Sequence, residues 1–148
     1  MAPPAGLVLS ALQIGAASRR VLVAEDDDDL RVLLAVALES QGYSVDEVAD
    51  GAALLERLAR CHGTRPGEGP VDLVISDLHI PCLSGLDVLA SLRDAENRLP
   101  MILITADRNP QAEALALRLG AAAYFHKPFD LCDLLTAVVN VSPLLHSR

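Results

Sequence analysis

No cluster of lysines and arginines occurs anywhere in this sequence, and the lack excludes a class of partner. The 148 residues carry 12 Lys and Arg against 20 Asp and Glu, a formal net charge of -8. Binding to phosphate backbones needs a concentrated basic footprint, so direct nucleic-acid binding is not expected. Cysteine is scarce too. Cys61, Cys82 and Cys132 are odd in number and lack CxxC spacing, which argues against a disulfide framework and a thiolate zinc site and fits reduced thiols in the cytoplasm. Nothing is long enough to span a membrane. The apolar stretch within MAPPAGLVLSALQIGAASRR has no Lys or Arg before it and is too short, so residues 1–19 are read as a flexible N-terminal extension.

What the chain does have is apolar residues in abundance, 51% of the total, enough to build the core of one domain at this length. From residue 21 onward, short apolar runs alternate with longer periodic ones. VLVA (21–24) reads as a strand and LRVLLAVALESQ (30–41) as an amphipathic helix capped by Gly42. SVDEVA and GAALLERLARC repeat the pair. HGTRPGEGP (62–70) is a loop, and LVIS (73–76) is a third strand. A helix near 86–95, a strand MILIT (101–105), a helix near 111–119, a strand AYFH (123–126) and a last helix from Leu131 complete five βα units. The domain is placed at 20–142, with a tail at 143–148. Right-handed crossovers with helices on both faces predict an open, doubly wound five-stranded parallel sheet.

In such a sheet chemistry collects beyond the carboxyl ends of the strands. Those ends hold Glu25, Asp26 and Asp27 after the first strand, Asp77 after the third, Thr105 after the fourth and Lys127 after the fifth. Carboxylates that converge repel one another unless a hard cation joins them, and Mg²⁺ accepts a few carboxylate oxygens, a carbonyl and waters. The pattern therefore asks for a divalent metal. The run of five acids from Glu25 to Asp29 divides by register. Asp27, Asp28 and Asp29 fall in the following loop and first helical turn, where carboxylates cap a helix and favour its dipole. The glycine spacing of an EF-hand is absent, which argues against calcium.

VLVAEDD, DLVISDLHIPCLSGLDVL, MILITA and YFHKPF resemble the corresponding segments of response-regulator receiver domains, the phosphorylated half of two-component signalling, from about Val21 to Val141. The resemblance implies the flavodoxin-like strand order 2-1-3-4-5, and it implies that Asp77 accepts a phosphoryl group from a histidine kinase or a histidine phosphotransfer protein. It implies that Asp26 and Asp77 bind Mg²⁺ directly, Glu25 through water, and the backbone carbonyl of His79 as a further ligand. Lys127 would pair with one phosphoryl oxygen, Thr105 would donate to another, and Tyr124 would turn inward as Thr105 moves. Lys127–Pro128 would be a cis peptide. Such a chain behaves as a self-catalysed phosphoacceptor rather than a conventional enzyme.

Other positions carry smaller expectations. His79 and Asp107, two residues after Asp77 and Thr105, are read as modulators of water access to an acyl phosphate. Gly85 fits a turn with positive φ. His62, His126 and His146 share no spacing and read as surface or strand-end residues. Only SPLLHSR follows Val141, so a stand-alone receiver acting through protein contact is expected. Its partner face would be the fourth helix, fifth strand and fifth helix, with a homodimer as one form of that contact. The fifth helix LCDLLTAVVNV has no Lys or Arg, and Ala122 and Ala123 stand where such receivers are often acidic, which disfavours a charge-laced dimer. Leu115 and Leu119, one turn apart, are instead either an apolar contact face or ordinary core leucines. Two alternatives remain: a Mg²⁺-dependent phosphohydrolase, whose usual DxD pair is missing because His79 stands two residues after Asp77, and a non-phosphorylated scaffold.

Overall fold

The computed structural model describes residues 19–61, 63, 65 and 67–144. Expectations for the N-terminal extension, for His62 and for His146 fall outside them, apart from Arg19 at the extension's end. Five strands, β1 (Arg20–Ala24), β2 (Ser44–Val48), β3 (Leu73–Asp77), β4 (Met101–Thr105) and β5 (Ala123–His126), alternate with five helices. These are α1 (Asp28–Ser40), α2 (Gly51–Ala59), α3 (Gly85–Asp94), α4 (Pro110–Arg118) and α5 (Leu131–Val141). All strand pairings are parallel, as the alternation of elements predicts, and the order is β2-β1-β3-β4-β5, the expected flavodoxin-like one.

The three central strands are buried on both faces, and their residues divide by the two-residue period of the pleat. Leu22, Ala24, Val74, Met101 and Leu103 point into one core with Leu54 of α2, Val88, Leu89 and Leu92 of α3 and Ala116 of α4. Val21, Val23, Leu73, Ile75, Ile102 and Ile104 point into the other with Leu34 and Leu38 of α1 and Leu134 and Val138 of α5. Two helices therefore cover one face and three the other. Among the described residues no helix is long and apolar enough to cross a membrane.

Each helix begins with a side-chain cap, which fixes the loops that leave the carboxyl edge of the sheet. Asp27 accepts from the N–H groups of Asp29 and Leu30, Asp50 from Ala53, Asn109 from Gln111 and Asp130 from Cys132. Ser84 and Asp87 form a reciprocal capping box. The first helix starts at Asp28, two residues before its apolar pattern begins, because the acids themselves form its first turn.

One expectation is corrected and another is decided between its two alternatives. Gly85 does not take a positive φ; that conformation belongs to Cys82, at 78°. A Cβ on Gly85 would lie 2.8 Å from the carbonyl oxygen of Asp77, so glycine is needed for close approach of α3 to the end of β3. Leu119 packs against the core instead of facing outward, whereas Leu115 and Leu117 are exposed.

The β2 edge is fastened by a buried charge cluster. Arg57 is 2% exposed; its Nε donates to Asp46 Oδ2 at 2.8 Å and its Nη1 to the Gly69 carbonyl at 2.9 Å. Nη2 also lies 2.8 Å from Asp46 Oδ2 but without hydrogen-bond geometry, so its contribution is coulombic. Arg20 holds the other Asp46 oxygen at 3.0 Å. Removing one partner of a buried pair leaves the other charge under-compensated. Arg57→Ala is expected to cost about 3 kcal/mol in urea denaturation; a loss below about 1 kcal/mol would mean that Arg20 alone suffices for Asp46.

Candidate functional site

The doubly wound topology brings the strand ends of β1, β3, β4 and β5 to one edge, and the predicted polar residues meet there. Glu25 directly follows β1 and is fully buried; its N–H donates to the Val48 carbonyl at the end of β2. Asp77 is the last residue of β3 and only 6% exposed, and Thr105 is the last residue of β4 and fully buried. Asp26 is exposed at the mouth. Lys127 enters from the turn after β5, and its backbone N–H donates to the Thr105 carbonyl at 2.7 Å. The Lys127–Pro128 bond is cis.

Lys127 Nζ bridges two of the acids, 2.8 Å from Glu25 Oε1 and 2.5 Å from Asp77 Oδ2. Burial by itself would lower the lysine pKa, but the bonds to Asp77 and Glu25 outweigh it and push the ammonium up. Glu25 is displaced in the unfavourable direction. Burial raises its pKa, and the Asp77 charge adds to that rise, although Lys127 and the Asp27 N–H (3.0 Å from Oε2) work against it. One ammonium does not neutralise this much buried negative charge.

Oxygens of Glu25, Asp26 and Asp77 lie within 4.8 Å of one another. Three hard oxygen donors, two of them in buried residues and with a surplus of negative charge, fit a divalent cation such as Mg²⁺. The predicted grouping of the first two acids with Asp77 is therefore what the fold assembles, while Asp27 turns away to cap α1.

Backbone and loop groups complete the mouth. His79 N–H donates to Asp77 Oδ1 at 2.9 Å, and its ring Nε2 stands 2.7 Å from Asp107 Oδ2. Asp107 N–H donates to Thr105 Oγ1 at 2.9 Å, leaving the hydroxyl proton free to be donated elsewhere. A chain of hydrogen bonds thus crosses the mouth from Asp77 to Thr105. The bond from His79 holds the Asp107 carboxyl below its ordinary value, assisted by the Asn109 N–H. Tyr124 lies half-buried on β5, its phenol pKa raised by burial and by the charges of Glu113 and Asp107.

Sequence reasoning missed two residues. Arg31 Nη1 donates to the Glu25 carbonyl at 2.8 Å while Nη2 and Nε reach Asp28 and Glu47, fixing the acidic turn from α1. Its i, i+3 spacing from Asp28 was the available signal. His126 is a strand-end residue as expected, but its pairing with Glu113 at 3.1 Å joins positions no local pattern connects.

With this geometry in view, comparison with known proteins gives consistent results. The family model described as the response regulator receiver domain matches residues 21–139. The transcriptional regulatory protein PrrA of Mycobacterium leprae is 34% identical over 137 residues, which are 93% of this chain and 54% of that protein. The regulatory protein AtoC of Escherichia coli is 34% identical over 118 residues, 80% of this chain and 24% of that protein. The chain thus spans about half, or less, of these relatives. A solved response regulator receiver domain protein from Clostridium thermocellum superposes with a TM-score of 0.73 at 26% identity, covering 83% of this chain and 93% of that one.

The Glu25 shift sets a sign for stability. A carboxyl whose pKa is raised on folding favours the protonated state, so in metal-free protein stability is lost as pH rises above 4.5 through the folded value. Glu25→Gln removes that loss. At pH 7 in EDTA the variant is expected to melt higher than wild type by about 2–4 °C, the equivalent of about 1 kcal/mol, and to gain less from added Mg²⁺. A lower melting point in EDTA would show that the Lys127 bond outweighs the burial of Glu25.

Proposed function

The chain belongs to the response regulator receiver domain family, and from that premise we propose that Asp77 is its phosphoacceptor. The observation that carries the reading is the Lys127 ammonium held on a nearly buried Asp77 carboxylate beside Glu25 and Asp26. An Asp77 oxygen attacks the phosphorus of a phosphohistidine on a histidine kinase or phosphotransfer protein. The P–N bond breaks with its electron pair passing to the imidazole, and an O–P bond forms, giving an acyl phosphate.

Lys127 exchanges part of its contact with Asp77 for a phosphoryl oxygen, and the Thr105 hydroxyl donates to another. Glu25, Asp26, Asp77 and the His79 carbonyl would hold Mg²⁺, which when bound neutralises phosphoryl charge. Positioning and charge stabilisation supply the catalysis, so no general base is required. The phosphohydrolase alternative wants a second acid two residues after Asp77, and His79 in that place is engaged with Asp107.

The signal is read out as a protein contact, and the reading implies a cytoplasmic location. The partner face is α4–β5–α5, where Leu115, Leu117 and Val139 are exposed and where α5 carries no basic residue. A second copy of the chain is the other occupant this face would accept.

Incubation with acetyl phosphate and Mg²⁺ followed by intact mass spectrometry is expected to add one phosphoryl mass to wild type and none to Asp77→Asn. If wild type gains nothing and beryllofluoride leaves its spectra unchanged, a non-phosphorylated scaffold replaces this reading. The His79–Asp107 bridge screens the mouth from water. Its removal in Asp107→Ala is expected to shorten the acyl-phosphate half-life by roughly fivefold, the equivalent of about one hydrogen bond. An unchanged half-life would make the bridge irrelevant to hydrolysis.

A further inference from the structure

The contact between Glu113 and His126 lies between the phosphoryl site and the face assigned to the partner. His126 ends β5, in register with Thr105 and directly before Lys127. Its Nε2 reaches Glu113 Oε1 in the first turn of α4. Its Nδ1 is buried with no protein partner, so a proton there would be an unpaired buried donor. Facing a carboxylate, Nε2 is the ring nitrogen that donates, to Glu113.

A second bond runs alongside it, from Arg108 Nη2 to the Lys127 carbonyl at 3.3 Å. Tyr124 packs edge-on against the His126 ring, 5.4 Å between centroids, and its buried hydroxyl has no protein partner either. The loop before α4 is held at its other end by the Thr105–Asp107–Asn109 hydrogen bonds. The first turn of α4 is therefore fastened to the strand end that carries Lys127 and neighbours Thr105.

We infer that the Glu113–His126 pair is a clasp that couples the phosphoryl site to α4, an inference that rests on Asp77 being the phosphoacceptor. A phosphoryl group on Asp77 adds charge and volume between Thr105 and Lys127, and both must readjust to meet it. Because β5 and α4 share the clasp, α4 moves with them and carries Leu115 and Leu117 along. Moving α4 opposes occupancy of the site, and coupling between two sites is reciprocal. Releasing the clasp therefore tightens the site and silences α4. Glu113 and His126 are positioning residues; neither touches the reacting atoms.

The test is amide NMR of the full chain with Mg²⁺ and beryllofluoride, a stand-in for the phosphoryl group. In wild type the amides of Thr105 and Lys127 and those of α4 are expected to shift together. In Glu113→Ala and His126→Phe the site amides still shift, the α4 shifts fall to less than half, and the apparent Kd for beryllofluoride drops roughly threefold, as for loss of one partly exposed pair. His126→Gln keeps a side-chain N–H for Glu113 and is expected to match wild type. Full α4 shifts in either disrupted variant would overturn the clasp. So would an effect in Glu113→Ala alone, which would be the loss of a charge. A wild type whose site amides do not respond would remove the phosphoacceptor reading first, and the coupling with it.

Discussion

Negative charge gathered at the carboxyl edge of an apolar sheet is the constraint on which the rest of this protein depends. Glu25 and Asp77 are withdrawn from water, Asp26 adds a third carboxylate, and a single lysine bridges the two buried acids. Such an arrangement is unfavourable by itself, as the raised Glu25 pKa records. It persists because the parallel core beneath it is packed on both faces and because the neighbouring backbone donates into it. The N–H groups of Asp27 and His79 each bond a carboxylate oxygen of the cluster. The cost of the site is thereby offset in part by the fold, and the remaining surplus of negative charge is of the kind a divalent cation would offset.

The loops around the edge are ordered by the same economy. Each described helix starts with a side-chain cap near the carboxyl edge, so acids of the cluster and capping residues stand side by side in the sequence. Asp27 caps α1 while Asp26 joins the acidic cluster, and Asn109 caps α4 while Asp107 bridges to His79. Short loops with fixed ends leave few ways for the mouth to deform. Among these bonds, the contact of His126 with Glu113 joins the end of β5 to α4.

The two ends of the sheet differ in character. At the amino edge, Arg93 donates to the carbonyls of Asn97, Leu99, Leu119 and Gly120, closing the C-terminal ends of α3 and α4 around one guanidinium. At the carboxyl edge the charged groups are fewer in partners and crowded in sign. The guanidinium at the amino edge is satisfied by four carbonyls, whereas the carboxyl edge keeps a surplus of negative charge.

The sequence by itself determined the alternation of five strands and five helices, the parallel doubly wound sheet and which polar residues stand at the strand ends. Those follow from the short continuous apolar runs of the central strands, the periodicity of the helices and the handedness of crossovers, all of which are local or topological rules, whereas the strand order was legible only through the resemblance of whole segments. Only the tertiary structure decided what each residue touches. Gly85 owes its identity to the carbonyl of Asp77 rather than to its own φ, and Leu119 lies inward although its spacing with Leu115 also allows a shared outward face. Arg57 with Asp46, His79 with Asp107 and His126 with Glu113 join side chains from different elements. Such contacts depend on the distance and angle between packed elements, quantities that no run of adjacent residues encodes.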